Sequence, residues 1–263
     1  MSKKCIEIKD LSISFGGIKA VNSLDFHIDE GEIYGLIGPN GAGKTTVFNC
    51  ITQFYKPDNG KVIFNNLKGD DIDLTTLKTH EVISQGIVRT FQNVELIQEL
   101  SIIDNLLVGA HIYFKKGFFS HSFRTKSSRV EEENFRKKAE EILEFLGLID
   151  IKDQLASGQP YGVLKKIELG RTLISNPKLI ILDEPAAGLN DNETLDLVKL
   201  LREIRTQYNC TILLIEHDMR LVMDICDRIC AISFGEKLCE GTPSEIQQNK
   251  DVQEAYLGSD ADE

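Results

Sequence analysis

A short apolar run, Ile33-Tyr34-Gly35-Leu36-Ile37, leads without a break into Gly38-Pro39-Asn40-Gly41-Ala42-Gly43-Lys44-Thr45-Thr46. The second stretch fits the pattern G-x-x-x-x-G-K-[ST], and it constrains the fold more than any other feature of the chain. Glycines let successive backbone N–H groups converge on phosphate oxygens. A helix expected from about Lys44 to Thr52 adds its positive N-terminal end. Lys44 is expected to reach β- and γ-phosphates, and Thr45 to bind Mg²⁺. From average Gly and Lys usage, a chance match in a chain of this length is on the order of one in a hundred. A match that also sits between a strand and a helix, where the mechanism needs it, leaves chance negligible. All nine residues, Gly38, Pro39, Asn40, Gly41, Ala42, Gly43, Lys44, Thr45 and Thr46, are therefore assigned to nucleotide binding.

Two other apolar runs end in polar groups suited to the same chemistry. Leu179–Leu182 is followed by Asp183-Glu184, and Thr211–Ile215 is followed, one residue further on, by His217. In parallel α/β sheets ligands bind beyond the carboxyl ends of strands, so these groups are expected beside the phosphate loop. Asp183 is read as a Mg²⁺ ligand, directly or through water. Glu184, one residue further on, can act as general base toward the attacking water. His217 can contact the γ-phosphate and orient that water. A lone His is usually structural, but three polar motifs at the ends of three apolar strands outweigh that reading. Gln92, within Arg89-Thr90-Phe91-Gln92, reads from the residues alone equally well as a loop amide.

The rest of the chain frames these motifs. Ile6, Ile8, Leu11, Ile13 and Phe15, then Leu24, Phe26 and Ile28, alternate as antiparallel strands do. From Ser101 the pattern turns helical, with Phe135, Ala139, Ile142, Leu143 and Leu146 along one face. Asn190 and Glu193 form a capping box for a helix over about Asp191 to Thr206. Ile229–Ser233 and Glu236–Cys239 flank Gly235 as a hairpin. The prediction is a P-loop α/β fold with a mostly parallel core sheet, an antiparallel N-terminal β subdomain and an inserted helical subdomain over roughly 95–175. Residues 1–258 form one ATP-binding domain and 259–263 an acidic tail.

The chain has 263 residues and a net charge of −11, which speaks against nucleic acid as a partner. No run approaches the roughly 18 apolar residues of a membrane span, and no signal peptide is visible at the N-terminus, so a membrane role is expected to be peripheral. The six cysteines read as reduced thiols. Cys226 and Cys230 are four apart, a spacing that could put them on one helix face, but no second ligand pair accompanies them to make a metal site. Residues 111–129 hold Lys115, Lys116, Arg124, Lys126 and Arg129, with Phe114, Phe118, Phe119 and Phe123 among them and no acid. A solvated loop is the favoured reading, over a contact with anionic lipid or a membrane subunit.

The order of phosphate loop, Phe-Gln, a Gly-containing segment before a helix, Leu-Asp-Glu-Pro and Glu-His resembles the ABC ATPase family over nearly the whole chain. The resemblance implies that Phe15 stacks on adenine, that Gln92 touches Mg²⁺ and senses the membrane subunits, that Ala187-Gly188-Leu189-Asn190 is the D-loop, and that His217 is the switch histidine. It is nearest to the ATP-binding subunit of branched-chain amino-acid importers, through Val21-Asn22, Val47-Phe48-Asn49-Cys50, Gly86–Gln92, Pro185–Asn190, Ile215–Met219 and the ending Gly241-Thr242-Pro243 with Ala255-Tyr256-Leu257-Gly258. Urea importers, the lipopolysaccharide-export ATPase and non-transport ABC ATPases are the alternatives. A nucleotide-binding module without turnover is disfavoured by the intact Lys44, Asp183, Glu184 and His217.

Two departures stand out. The family's Leu-Ser-Gly-Gly-Gln signature falls, by register to Arg171, on Gln159-Pro160-Tyr161-Gly162-Val163, where only Gly162 survives. The D-loop ends in Asn190 where Asp is usual. Pro160 lacks the hydroxyl and N–H of serine, so Pro160, Tyr161 and Gly162, acting in trans on a partner's ATP, imply a heterodimer with unequal sites. The implied ligands are ATP and Mg²⁺. The implied partners are a second ATPase subunit, integral membrane permeases and an extracytoplasmic binding protein. The implied location is the cytoplasmic face of the inner membrane.

Overall fold

The computed structural model describes residues 3–90, 95–110 and 126–259. Gln92, most of the basic, Phe-rich segment 111–129 and the acidic residues 260–263 lie outside the described residues. The chain divides into two compact units, Met1–Gln92 with Lys178–Glu263, and Asn93–Pro177.

The first unit holds two sheets. One is antiparallel, in the order β2-β1-β4-β5, with β1 Lys4–Phe15, β2 Ile18–Asp29, β4 Asn59–Asn65 and β5 Asp71–Asp73. The step of three from Ile8 to Leu11 breaks the alternation, and the chain absorbs it with a bulge. Pairing to β2 shifts between Ile8 and Leu11, and Asp10 turns to φ 47°. Ile6 and Ile8 before the bulge, and Leu11 and Ile13 after it, are therefore all buried.

The other sheet runs β10-β9-β3-β8-β7-β6. Its strands are β3 Ile33–Ile37, β6 Ile87–Arg89, β7 Leu179–Asp183, β8 Thr211–Ile215, β9 Arg228–Ser233 and β10 Glu236–Gly241. All neighbours are parallel except the β9–β10 hairpin. β3, β7 and β8 are buried at every position, which explains why they are continuous apolar runs rather than alternating ones. Helix α1, Lys44–Ile51, follows β3, and α2, Thr79–Ser84, precedes β6. Tyr34, Phe48 and Phe64, from β3, α1 and β4, are fully buried in one apolar cluster, and Tyr34 stacks on Phe26 at 5.5 Å.

The second unit is built on α3 Ile102–Ala110, α4 Lys126–Phe145 and α5 Tyr161–Leu173. Ala139, Ile142, Leu143 and Leu146 of the α4 stripe are buried. α3 and α5 approach so closely at Gly109 that a Cβ there would stand 2.3 Å from the Arg171 carbonyl oxygen.

After β7 the first unit continues with α6 Asp191–Tyr208, α7 Met219–Ile225, α8 Pro243–Gln248 and α9 Lys250–Ser259. The Asn190–Glu193 capping box is formed in full, and Asn209 ends α6 in the left-handed region. Cys226 caps the end of α7 and Cys230 lies on β9, so they do not share a helix face. Asp227 and Arg228 between them turn the chain from helix into strand. Among the described residues no cluster of His, Cys, Asp and Glu could hold a metal.

Candidate nucleotide site at the ends of β3, β8 and β7

β8 lies between β3 and β7. The loops leaving these three strands carry, in order, Gly38–Gly43, Glu216-His217 and Asp183-Glu184, so the sheet order itself brings the sequence motifs to one edge.

The phosphate loop is shaped by what surrounds it. Gly38 is pressed against β9, where a Cβ would fall 2.2 Å from the Ile232 carbonyl oxygen. Gly43 adopts φ 102°, and a Cβ there would meet the Ala20 carbonyl oxygen at 2.5 Å. Any larger residue at either place would push the loop out of shape. Within the loop, Ala42 N–H donates to the Pro39 carbonyl at 3.1 Å, and Gly235 of the β9–β10 turn donates to Ala42 at 3.0 Å. Asn40, Gly41 and Thr45 are exposed at the loop's mouth, and Thr46 is half-buried in the first turn of α1.

Lys44 Nζ donates to the Gly38 and Pro39 carbonyls at 2.6 and 3.0 Å. Burial holds its pKa below the usual lysine value, against the opposing pull of the Glu184 and Asp183 carboxylates. The cation is thus stored on its own loop, facing two acids.

Asp183 is buried at the end of β7. Its Oδ2 accepts from Arg89 Nη2 at 2.7 Å, and Arg89 Nη1 donates to Asn49 Oδ1 of α1, also at 2.7 Å. The guanidinium lies over the Phe48 ring at 5.6 Å. Arg89 therefore joins β6, β7 and α1 at the acid, a role that sequence reasoning missed, since its partners Asn49 and Asp183 are 40 and 94 residues away. Thr45 and Asp183 offer a hydroxyl and a carboxylate oxygen, hard donors of the type Mg²⁺ takes. With Oδ2 engaged by Arg89, Oδ1 is the oxygen that suits a metal.

Glu184 takes φ 49°, a left-handed conformation costing a non-glycine residue roughly 1 kcal/mol or more. Its N–H is pinned to the Ile215 carbonyl at 2.9 Å. The turn aims the carboxylate toward His217, whose Nδ1 stands 3.6 Å from Glu184 Oε1 and whose ring is largely exposed. Glu216, only 1% exposed, was not singled out by sequence reasoning, because a carboxylate that closes an apolar run looks like any strand-end acid.

Phe15, half exposed at the end of β1, packs edge-on against Tyr55 at 5.1 Å. Tyr256 of α9 reaches back to the start of the loop, where its hydroxyl meets the Gly38 backbone; burial pushes its pKa up to about 12. In the second unit Pro160 is the N-cap of α5 and Tyr161 its first residue, both exposed, with Gly162 half-buried behind them.

Residues 21–187 match the family described as ABC transporter. The chain belongs to that family. It is an ATP-binding cassette that hydrolyses ATP as one subunit of a transporter complex. Residues 236–262 match a second family, described as branched-chain amino acid ATP-binding cassette transporter. The chain is 44% identical over 98% of its length, and 99% of the relative's, to the high-affinity branched-chain amino acid transport ATP-binding protein LivG of Escherichia coli (strain K12). It is 42% identical, with the same coverage, to the corresponding protein BraF of Pseudomonas aeruginosa. Among solved structures, the ADP conformation of MJ1267, an ATP-binding cassette of an ABC transporter, superposes with a TM-score of 0.84 at 31% identity, covering 98% of this chain and 100% of that one. Among the described residues of this cassette, no helix is long and apolar enough to cross a membrane.

Proposed function

We propose that this cassette energises the import of branched-chain amino acids. It works on the cytoplasmic face of the inner membrane, with an extracytoplasmic binding protein and a second, non-identical ATPase subunit beside the permeases. The observation that carries the substrate is the match of residues 236–262 to the branched-chain family, outside the part common to ABC transporters. The branched-chain relatives, alike over nearly the full chain, support it.

In this reading the adenine stacks on Phe15, braced by Tyr55. Backbone N–H groups of Gly38–Gly43, with Thr46 at the start of α1, cradle the phosphates. Lys44 exchanges the carbonyls of Gly38 and Pro39 for β- and γ-phosphate oxygens, which restores the charge partner that its loop supplies only as dipoles. Thr45 and Asp183, with Gln92, would hold Mg²⁺, and the ion would supply positive charge against that of the phosphates. Arg89 fixes the rotamer of Asp183. Glu184 accepts a proton from water as its oxygen attacks the γ-phosphorus and the bond to the β–γ bridging oxygen breaks, giving ADP and phosphate. His217, 3.6 Å from Glu184, orients the water and the γ-phosphate. Pro160, Tyr161 and Gly162 serve the ATP held by the partner subunit.

The test is transport. The complex purified through this chain, placed in liposomes with its binding protein, is expected to accumulate labelled leucine, isoleucine and valine only with internal ATP and Mg²⁺. ATPase activity stimulated by urea but not by leucine would overturn the substrate assignment.

A further inference from the structure

Glu216 presents its two carboxylate oxygens to two different loops. Oε1 accepts from the N–H of Ala186, two residues beyond Glu184, at 2.9 Å. Oε2 accepts from the N–H of His217 at 3.2 Å, and the N–H of Asp218 is directed at the same carboxylate. The group is 1% exposed. Burying a carboxylate is expensive, and its cost is recovered only when its lone pairs are met by donors. A strand end in need of a stop could use threonine or asparagine at far lower cost. What those cannot do is span both loops with acceptors at each end, because their branching puts a donor or a methyl on one side.

We propose that Glu216 is a positioning residue: its carboxylate locks the loop after Glu184 to the loop bearing His217, and so sets the separation between the two groups. This rests on the roles given above to Glu184 and His217. His217 Nδ1 and Glu184 Oε1 stand 3.6 Å apart. Two backbone ties bear on the pair: Glu184 N–H on the Ile215 carbonyl and Ala186 N–H on Glu216. Both reach from the β7 loop to the last residues of β8 and the residue after it. With Glu216 removed, only the first remains, and the His217 loop loses its anchor. Ala186 also opens the segment Ala187-Gly188-Leu189-Asn190, so the same carboxylate holds the entrance to the loop that the family resemblance names the D-loop.

A positioning role predicts loss of rate without loss of binding. A misplacement of about 1 Å costs on the order of 10²-fold. Glu216→Gln is nearly isosteric, but its amide sets a donor against donors on one of the two loops. In the assembled transporter it is expected to lower kcat about 10²-fold while KM for ATP stays within about threefold. Glu216→Asp keeps the charge, is one methylene too short to reach both loops, and is expected to lose a similar factor. The decisive comparison adds Glu216→Gln to His217→Ala. If Glu216 acts through His217, the second change costs less than about threefold in that background. Equal losses from Glu216→Gln in both backgrounds, an unchanged kcat, or failure of both Glu216 variants to fold would overturn the inference. A full rate for His217→Ala alone would instead overturn the role of His217 itself.

Discussion

Arg89 shows most clearly how one side chain ties the site together. Its guanidinium spans Asp183 and Asn49 and covers Phe48, so its removal leaves the Asp183 carboxylate without the cation that fixes it. Arg89→Met should lower ATPase activity by about 10-fold or more and raise the Mg²⁺ concentration for half-maximal rate, effects in the range expected when the partner of a metal-binding group is lost. ATP binding measured without Mg²⁺ should be nearly unchanged. A variant with a wild-type Mg²⁺ dependence would remove Arg89 from the site. Lys44, Asp183, Glu184 and His217 were legible because each stands in a fixed relation to an apolar strand, and the parallel sheet turns that relation into proximity. Arg89 and Glu216 were not, because their importance lies in partners 94 and 30 residues away, which no local pattern encodes.

Elements followed the same division. Buried parallel strands announce themselves as apolar runs, and α6 by its capping box, whose reciprocal bonds are local. β4 and β5 went unread, since the apolar part of Asn59–Asn65 is only Val62-Ile63-Phe64 and Asp71–Asp73 is three residues with an acid at each end, and both acquire strand geometry by pairing with β1 and with each other. The Cys226–Cys230 spacing does not make a shared helix face because a break between α7 and β9 separates them. Helix crossing, too, is invisible until the partner is known. Gly109 looks like a weak helix residue, yet it is where α3 meets the Arg171 carbonyl. Gly109→Ala should therefore destabilise the chain rather than stabilise it as helix propensity alone would suggest, by about 1–3 kcal/mol in urea unfolding. Equal or greater stability would mean that the two helices part without cost.

In the assembled transporter, the proposed pairing with a second ATPase subunit turns the variant signature into a prediction of unequal sites. Pro160 at the N-cap of α5 has neither a hydroxyl nor an N–H to offer a partner's ATP, whereas in that proposal this chain's own phosphate loop would rely on the partner's signature. Loss of preorganised donors slows the chemical step. In the assembled complex Lys44→Ala should therefore abolish most ATPase activity, and the matching change in the partner subunit much less. Equal losses would show that the Pro160-Tyr161-Gly162 signature is fully competent or that both sites must fire together.

If ATP hydrolysis at Glu184 drives uptake, Glu184→Gln in the complete transporter in liposomes decides it, with ATP turnover and leucine accumulation measured on the same sample. Removing a positioned general base costs 10²–10⁴-fold in rate, on the order of 3–5 kcal/mol in the barrier. Turnover and uptake should fall together by that factor while ATP is still bound and the ATP-closed dimer accumulates. Near-normal hydrolysis or near-normal uptake in this variant would contradict the account.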